Sequence, residues 1–89
     1  MKNFKDLVFK NHPAAPHFST QAEMKFDNNY GVSVITGQGA YTSESSPYEI
    51  AITYKGELCY STDITDDVIG YQNEGDVSDV MKRVQELKE

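Results

Sequence analysis

The sequence predicts an α+β domain, a small antiparallel sheet of four to five strands with one C-terminal amphipathic helix packed on one face. Three observations carry that expectation. Between residues 21 and 61, short segments alternate apolar and polar side chains at the period of half-buried strands. They are separated by stretches rich in Asn, Gly, Ser and Pro that suit turns and loops. Near residue 75 the period changes, and Val77, Val80, Met81, Val84 and Leu87 fall on one helical face. At 89 residues the chain reads as a single domain, 1–89.

Taken in order, FKDLVFK alternates loosely around Leu7 and Phe9 and reads as a short edge strand. In NHPAAPHFS, Pro13 and Pro16 disfavour helix and remove ladder donors, so residues 11–20 are expected as an extended loop. QAEMKFD sets Ala22, Met24 and Phe26 on one side of a strand, and YGVSVIT follows as its hairpin partner. Between them, Asn28-Asn29 reads as a tight turn because asparagine tolerates positive φ. A two-residue turn there would put Val32 and Val34 on the wrong face, so a bulge at Gly31 is expected to re-phase the strand.

Residues 37–47, GQGAYTSESSP, read as a surface loop. YEIAITY is the clearest strand, with Tyr48, Ile50, Ile52 and Tyr54 on one face. If Leu58 and Tyr60 in ELCYS are to join that face, the connection must be odd, such as Lys55-Gly56-Glu57. Further on, Thr65 is placed to cap a single helical turn carrying Asp66 and Asp67, with Gly70 to stop it. Asp76 is the expected N-cap of the final helix, Asp79 suits its first turn and Lys88 its last.

Composition narrows the chemistry. Charged residues make up 25% and hydrophobic residues 38%, which suits a folded soluble chain. No apolar run approaches the roughly 20 residues of a membrane span, and MKNFKDLVFKNHP lacks an apolar signal core, so a cytoplasmic protein is expected. The lone Cys59 fits a reducing compartment and reads as a buried, inert thiol with no basic neighbour to activate it. His12 and His17 flank the prolines without the spacing of a metal site. Gly37-x-Gly39 lacks the third glycine and following helix of a phosphate cradle. Nothing forms a triad, a P-loop or a calcium loop, so the residues assign no catalytic group, metal or cofactor, and a non-enzymatic protein is expected.

Charge is the more informative quantity. Residues 1–44 balance Lys2, Lys5, Lys10 and Lys25 against Asp6, Glu23, Asp27 and Glu44. The net charge of −6 therefore lies wholly in residues 45–89. Direct nucleic-acid binding is disfavoured, because affinity for phosphate comes from clustered Lys and Arg. Asp63, Asp66, Asp67, Glu74, Asp76 and Asp79 meet no basic residue within their span, which points to a protein partner with a basic surface. Tyr41 lies among small loop residues of the kind found in contact surfaces and joins that candidate set.

The blocks FDNNYGVSVITGQGAY and YEIAITYKGELCYSTDITDDVIGY, with the spacing between them, resemble a family of small uncharacterised proteins encoded by bacteriophages and prophages. The likeness covers about half of the chain and carries no catalytic residue. It implies an accessory protein of the bacterial cytoplasm that binds and inhibits or redirects a host or defence protein. Two alternatives stand beside it: a small-ligand-binding or enzymatic domain with a pocket near the 37–47 loop, and a minor virion component.

Overall fold

Parity along the strands governs this fold, because a sheet with one buried face must bring every apolar set to the same side. The computed structural model describes residues 1–11, 19–37, 45–65 and 67–88. Among these residues six antiparallel strands form one sheet: β1 (Lys10–Asn11), β2 (Ser19–Lys25), β3 (Tyr30–Gly37), β4 (Tyr48–Tyr54), β5 (Glu57–Leu58) and β6 (Ile69–Gln72). The order is β1-β2-β3-β4-β5, and β6 shares the outer edge of β4 with β5. The helix α1 (Glu74–Gln85) covers one face. The α+β arrangement matches the sequence expectation, with two of the six strands only two residues long.

The β2–β3 connection solves the parity problem without a bulge. Phe26 N–H donates to the Tyr30 carbonyl at 2.7 Å, which leaves a three-residue loop, Asp27 to Asn29. Asn29 takes the left-handed conformation (φ 70°) that such loops need at their third position. Met24 then faces Val32 and Ala22 faces Val34, on the side that α1 covers. The bulge expected at Gly31 is therefore absent, and Gly31 pairs in register with Lys25 and Thr53. Its glycine identity answers to space instead: a Cβ would collide with the Met24 carbonyl oxygen and come within 2.8 Å of Thr53 Oγ1.

At the β4–β5 connection local turn chemistry wins over burial. Lys55 (φ 52°) and Gly56 (φ 87°) make a two-residue turn of mirror-image type, so Tyr54 pairs with Glu57 and Thr53 with Leu58. The odd loop expected from Leu58 is wrong. Leu58 points away from α1 and is 59% exposed, and Tyr60 is 44% exposed.

Two further expectations change. FKDLVFK is not one strand: Phe4–Asp6 form a 3₁₀ turn, closed by Asn3 Oδ1 on Lys5 N–H and Asp6 Oδ2 on Asn3 N–H, both at 2.9 Å. The Thr65 segment makes bends in place of a helical turn, and Gly70 lies inside β6. There, Tyr48 pairs with Gln72 and Ile50 with Ile69, so β6 carries one extra residue, and Tyr71 sits left-handed (φ 57°). Residues 12–18 and 38–44, with the proline loop and most of the 37–47 loop, lie outside the described residues.

The helix begins at Asn73, not Asp76. Asn73 Oδ1 accepts from Asp76 N–H at 2.9 Å, and Asp76 Oδ2 accepts from Asn73 N–H at 3.0 Å, a reciprocal cap. Its last turn carries Lys82 and Arg83, where the helix dipole favours cations, and Lys88 lies beyond it. From the β2–β3 loop, Asn28 Nδ2 donates to the Val84 and Leu87 carbonyls at 2.9 Å each, satisfying acceptors the helix leaves open.

Val77, Met81 and Val84 of α1, fully buried, pack on Val32, Val34, Ile50 and Ile52 of the sheet. Each such side chain contributes about 1.5–3 kcal/mol. At the margin, Phe4, Phe9 and Tyr48 stack with ring centroids 5.0–5.9 Å apart. Gln85 ties the chain start to the helix, accepting from Lys2 N–H at 2.8 Å and donating to the Lys2 carbonyl at 2.7 Å.

Val84→Asp places an unpaired carboxylate beneath the sheet, at a cost of several kcal/mol. Thermal denaturation should then show no cooperative transition, whereas Lys82→Ala, at an exposed position, should stay within about 0.5 kcal/mol of the parent. A cooperative, near-parental transition in Val84→Asp would mean that α1 is not a core element.

Candidate functional site

The acidic segment is shaped by threonine hydroxyls. Thr65 N–H donates to Thr62 Oγ1 at 3.4 Å, Asp67 N–H donates to Thr65 Oγ1 at 3.1 Å, and Thr65 Oγ1 donates to the Asp67 carbonyl at 2.9 Å. These local bonds compete with helix, and Thr62, Asp63, Ile64 and Asp67 are bends. Ile64 and Ile69 anchor the segment against the core, leaving Asp63 and Asp67 exposed. Asp67 Oδ1 accepts from Val68 N–H at 2.7 Å.

The candidate carboxylates divide between two regions. Asp63 and Asp67 lie on the segment that leads into β6, whereas Glu74, Asp76 and Asp79 lie on the first turns of α1. Glu74 and Asp79 are exposed, but Asp76 is occupied by the helix cap. Beside Glu74, a shallow depression of about 240 Å³ is also lined by Asn3, Phe4, Lys5 and Ser78. Lys5 therefore dilutes the negative charge at the helix start. Asp66 and Tyr41 lie outside the described residues.

The protonation of Tyr48 is displaced. Burial pushes its phenol above the ordinary range, and the Glu74 carboxylate adds to the shift by opposing a second negative charge. Cys59 follows β5, half-buried, with its N–H on the Ile52 carbonyl at 2.8 Å and its Sγ 3.5 Å from Ser61 Oγ. It is less enclosed than the expected buried thiol. Among the described residues, no three His, Cys, Asp or Glu side chains gather as a metal site requires, and no helix is long and apolar enough to cross a membrane.

A second surface was not anticipated. On the sheet face opposite α1, a groove of about 360 Å³ is lined by Gln21, Glu23, Ser33, Ile35, Glu49, Ala51, Thr53, Gly56, Leu58 and Val68. Ser33 and Ala51 pair across β3 and β4 at its floor, where they are only 6% and 7% exposed although, among the described residues, no helix covers them. Gln21 Nε2 donates to Ser33 Oγ at 2.7 Å and braces one wall. The available signal was small residues at adjacent positions on the polar phase of two central strands; alternation alone marks that phase as solvent-facing.

Comparisons with protein-family models, curated proteins and solved structures return no match to this chain.

Two expectations follow from this geometry. Because folding favours the neutral Tyr48 phenol, its contribution is intact below about pH 10 and is lost as pH rises through the raised folded value. Tyr48→Phe should flatten the alkaline fall in melting temperature, and an unchanged profile would discount the burial of that phenol. Cys59 should react with a thiol reagent more slowly in the native protein than in denaturant, at equal pH. Faster reaction in the native state would reopen a nucleophilic role.

Proposed function

We propose that the chain is a non-enzymatic binder of a protein with a basic surface, engaged through the exposed carboxylates of residues 63–79. The observation that carries this reading is the exposure of Asp63, Asp67, Glu74 and Asp79 in a half of the chain that holds all six excess negative charges. Their mutual repulsion is relieved by a partner of opposite charge, which gains steering and affinity from the same field. The resemblance to phage- and prophage-encoded proteins directs the proposal toward a host or defence protein, inhibited or redirected by being occupied. Asp63 and Asp67 contribute most on this view, since Asp76 serves the helix cap and Glu74 lies near Lys5.

A second reading, a small-ligand site, draws on the groove of the sheet face opposite α1, whose volume of about 360 Å³ lies within the range of ligand pockets.

A pull-down from bacterial lysate at low and high salt, beside a thermal-shift panel of nucleotides and metals, separates the two. The expected result is a stoichiometric basic partner released by salt and lost in the combined variant Asp63→Asn, Asp67→Asn, Glu74→Gln. Asp67→Asn keeps the oxygen that accepts from Val68 N–H, so the variant should retain its fold. A partner indifferent to both salt and this variant overturns the acidic-surface proposal. Stabilisation by one small molecule, with no protein retained, favours the second reading.

A further inference from the structure

The sheet face opposite α1 has a definite relief. The larger groove adjoins a depression of about 310 Å³ lined by Val8, Lys10, Asn11, Gln21 and Glu23, and the two share Gln21 and Glu23 as a common ridge. Val8 stands at the β1 end, 68% exposed, and Leu58 stands at the β5 end. With β1 and β5 at opposite ends of the sheet order, the track between them runs about 19 Å, at roughly 4.8 Å per strand step. That is the length of about six residues of extended chain.

Charge selects what lies along this track. The larger groove is lined by Glu23 and Glu49, two strands apart, and by no basic side chain among the described residues. Beyond the ridge, Lys10 lines the smaller depression and disfavours a second cation there. The floor between the carboxylates is Ser33 and Ala51, small enough to admit a long side chain, with Ile35, Val68 and Leu58 offering aliphatic contact. An arginine fits this combination: its stem lies on apolar surface, its planar head pairs with carboxylates, and it sheds water more readily than lysine.

Resting on the reading of the chain as a binder of basic proteins, we propose that the sheet face opposite α1 docks an extended segment of that partner, with an arginine seated between Glu23 and Glu49 and apolar residues against Val8 and Leu58. The carboxylates of Asp63 and Asp67 then steer the partner toward the groove, whose Val68 wall follows Asp67 directly.

The test uses the whole chain, isotopically labelled, titrated with the capped heptapeptide Leu-Thr-Arg-Thr-Ala-Thr-Leu and with its counterpart carrying glutamate in place of arginine. The expected result is saturable amide shifts at Ser33, Glu49 and Ala51 with the arginine peptide, and binding at least about fivefold weaker with the glutamate peptide or with Glu49→Gln. Ala51→Leu, which fills the floor without altering charge, should abolish those shifts; circular dichroism confirms that the variant is folded. Should Ala51→Leu misfold, Ser33→Val, which also enlarges a floor residue, takes its place in the same titration. Binding unaffected by Glu49→Gln and by the floor variant overturns the groove proposal. Arginine-peptide shifts confined to residues 63–79 overturn it too, while leaving the basic-partner reading in place. An absence of shifts anywhere at millimolar peptide sinks both. Spermidine saturating the groove where the heptapeptide does not would replace the docked segment with a small polyamine and equally refute the proposal.

Discussion

The three-residue loop from Asp27 to Asn29 is the constraint on which the rest of the structure depends. Its odd length puts Val32 and Val34 on the same side as Ala22 and Met24, and only that phase gives α1 a continuous apolar floor. The same loop then reaches the other layer, where the Asn28 amide satisfies the helix carbonyls at Val84 and Leu87. Parity of the sheet and termination of the helix are thus settled by three consecutive residues. A 12-residue helix is too short to persist alone, so this joint provision substitutes for intrinsic helix stability.

What was legible in the sequence divides by the range of the competing interactions. The strands around Ala22–Met24, Val32–Val34 and Ile50–Ile52, and the helical stripe from Val77 to Val84, were readable because burial repeats the same instruction at every second or every third and fourth residue. Connections were less so. At Gly31 the need for re-phasing was recognised correctly, but an αL asparagine achieved it through loop length instead of a bulge. At Lys55-Gly56 a two-residue turn, with Gly56 at positive φ without steric cost, overrode the burial of one leucine, since Ile50, Ile52 and the helix already fill that face. At Thr65, hydroxyl-to-backbone bonds spanning two or three residues took the backbone polar groups a helix would have needed.

The candidate site was legible as composition and not as position. Negative charge in residues 63–79 could be counted, but the fold assigns part of it to structure: Asp76 holds the helix cap, and Asp67 also accepts from Val68 N–H. The groove on the opposite face was hidden by the alternation that revealed the core. Ser33 and Ala51 sit at solvent-phase positions, where small residues read as filler until their neighbours across two other strands are known to be long.

The shared outer edge of β4 has a consequence for how the molecule avoids its own kind. A long unpaired strand edge is a template for pairing with another chain, and β4 would be one if left bare. Here β5 covers Thr53 and Tyr54, β6 covers Tyr48 and Ile50, and the Cys59 N–H takes the Ile52 carbonyl between them. The new rim is broken into a two-residue piece and a strand interrupted by a left-handed Tyr71. Ladder growth outward from β4 meets a discontinuity within two or three residues, which suppresses fibril-like addition on this side. The left-handed backbone at Tyr71 thus bears on colloidal behaviour: it interrupts the rim along which an acidic, β-rich chain would extend its sheet.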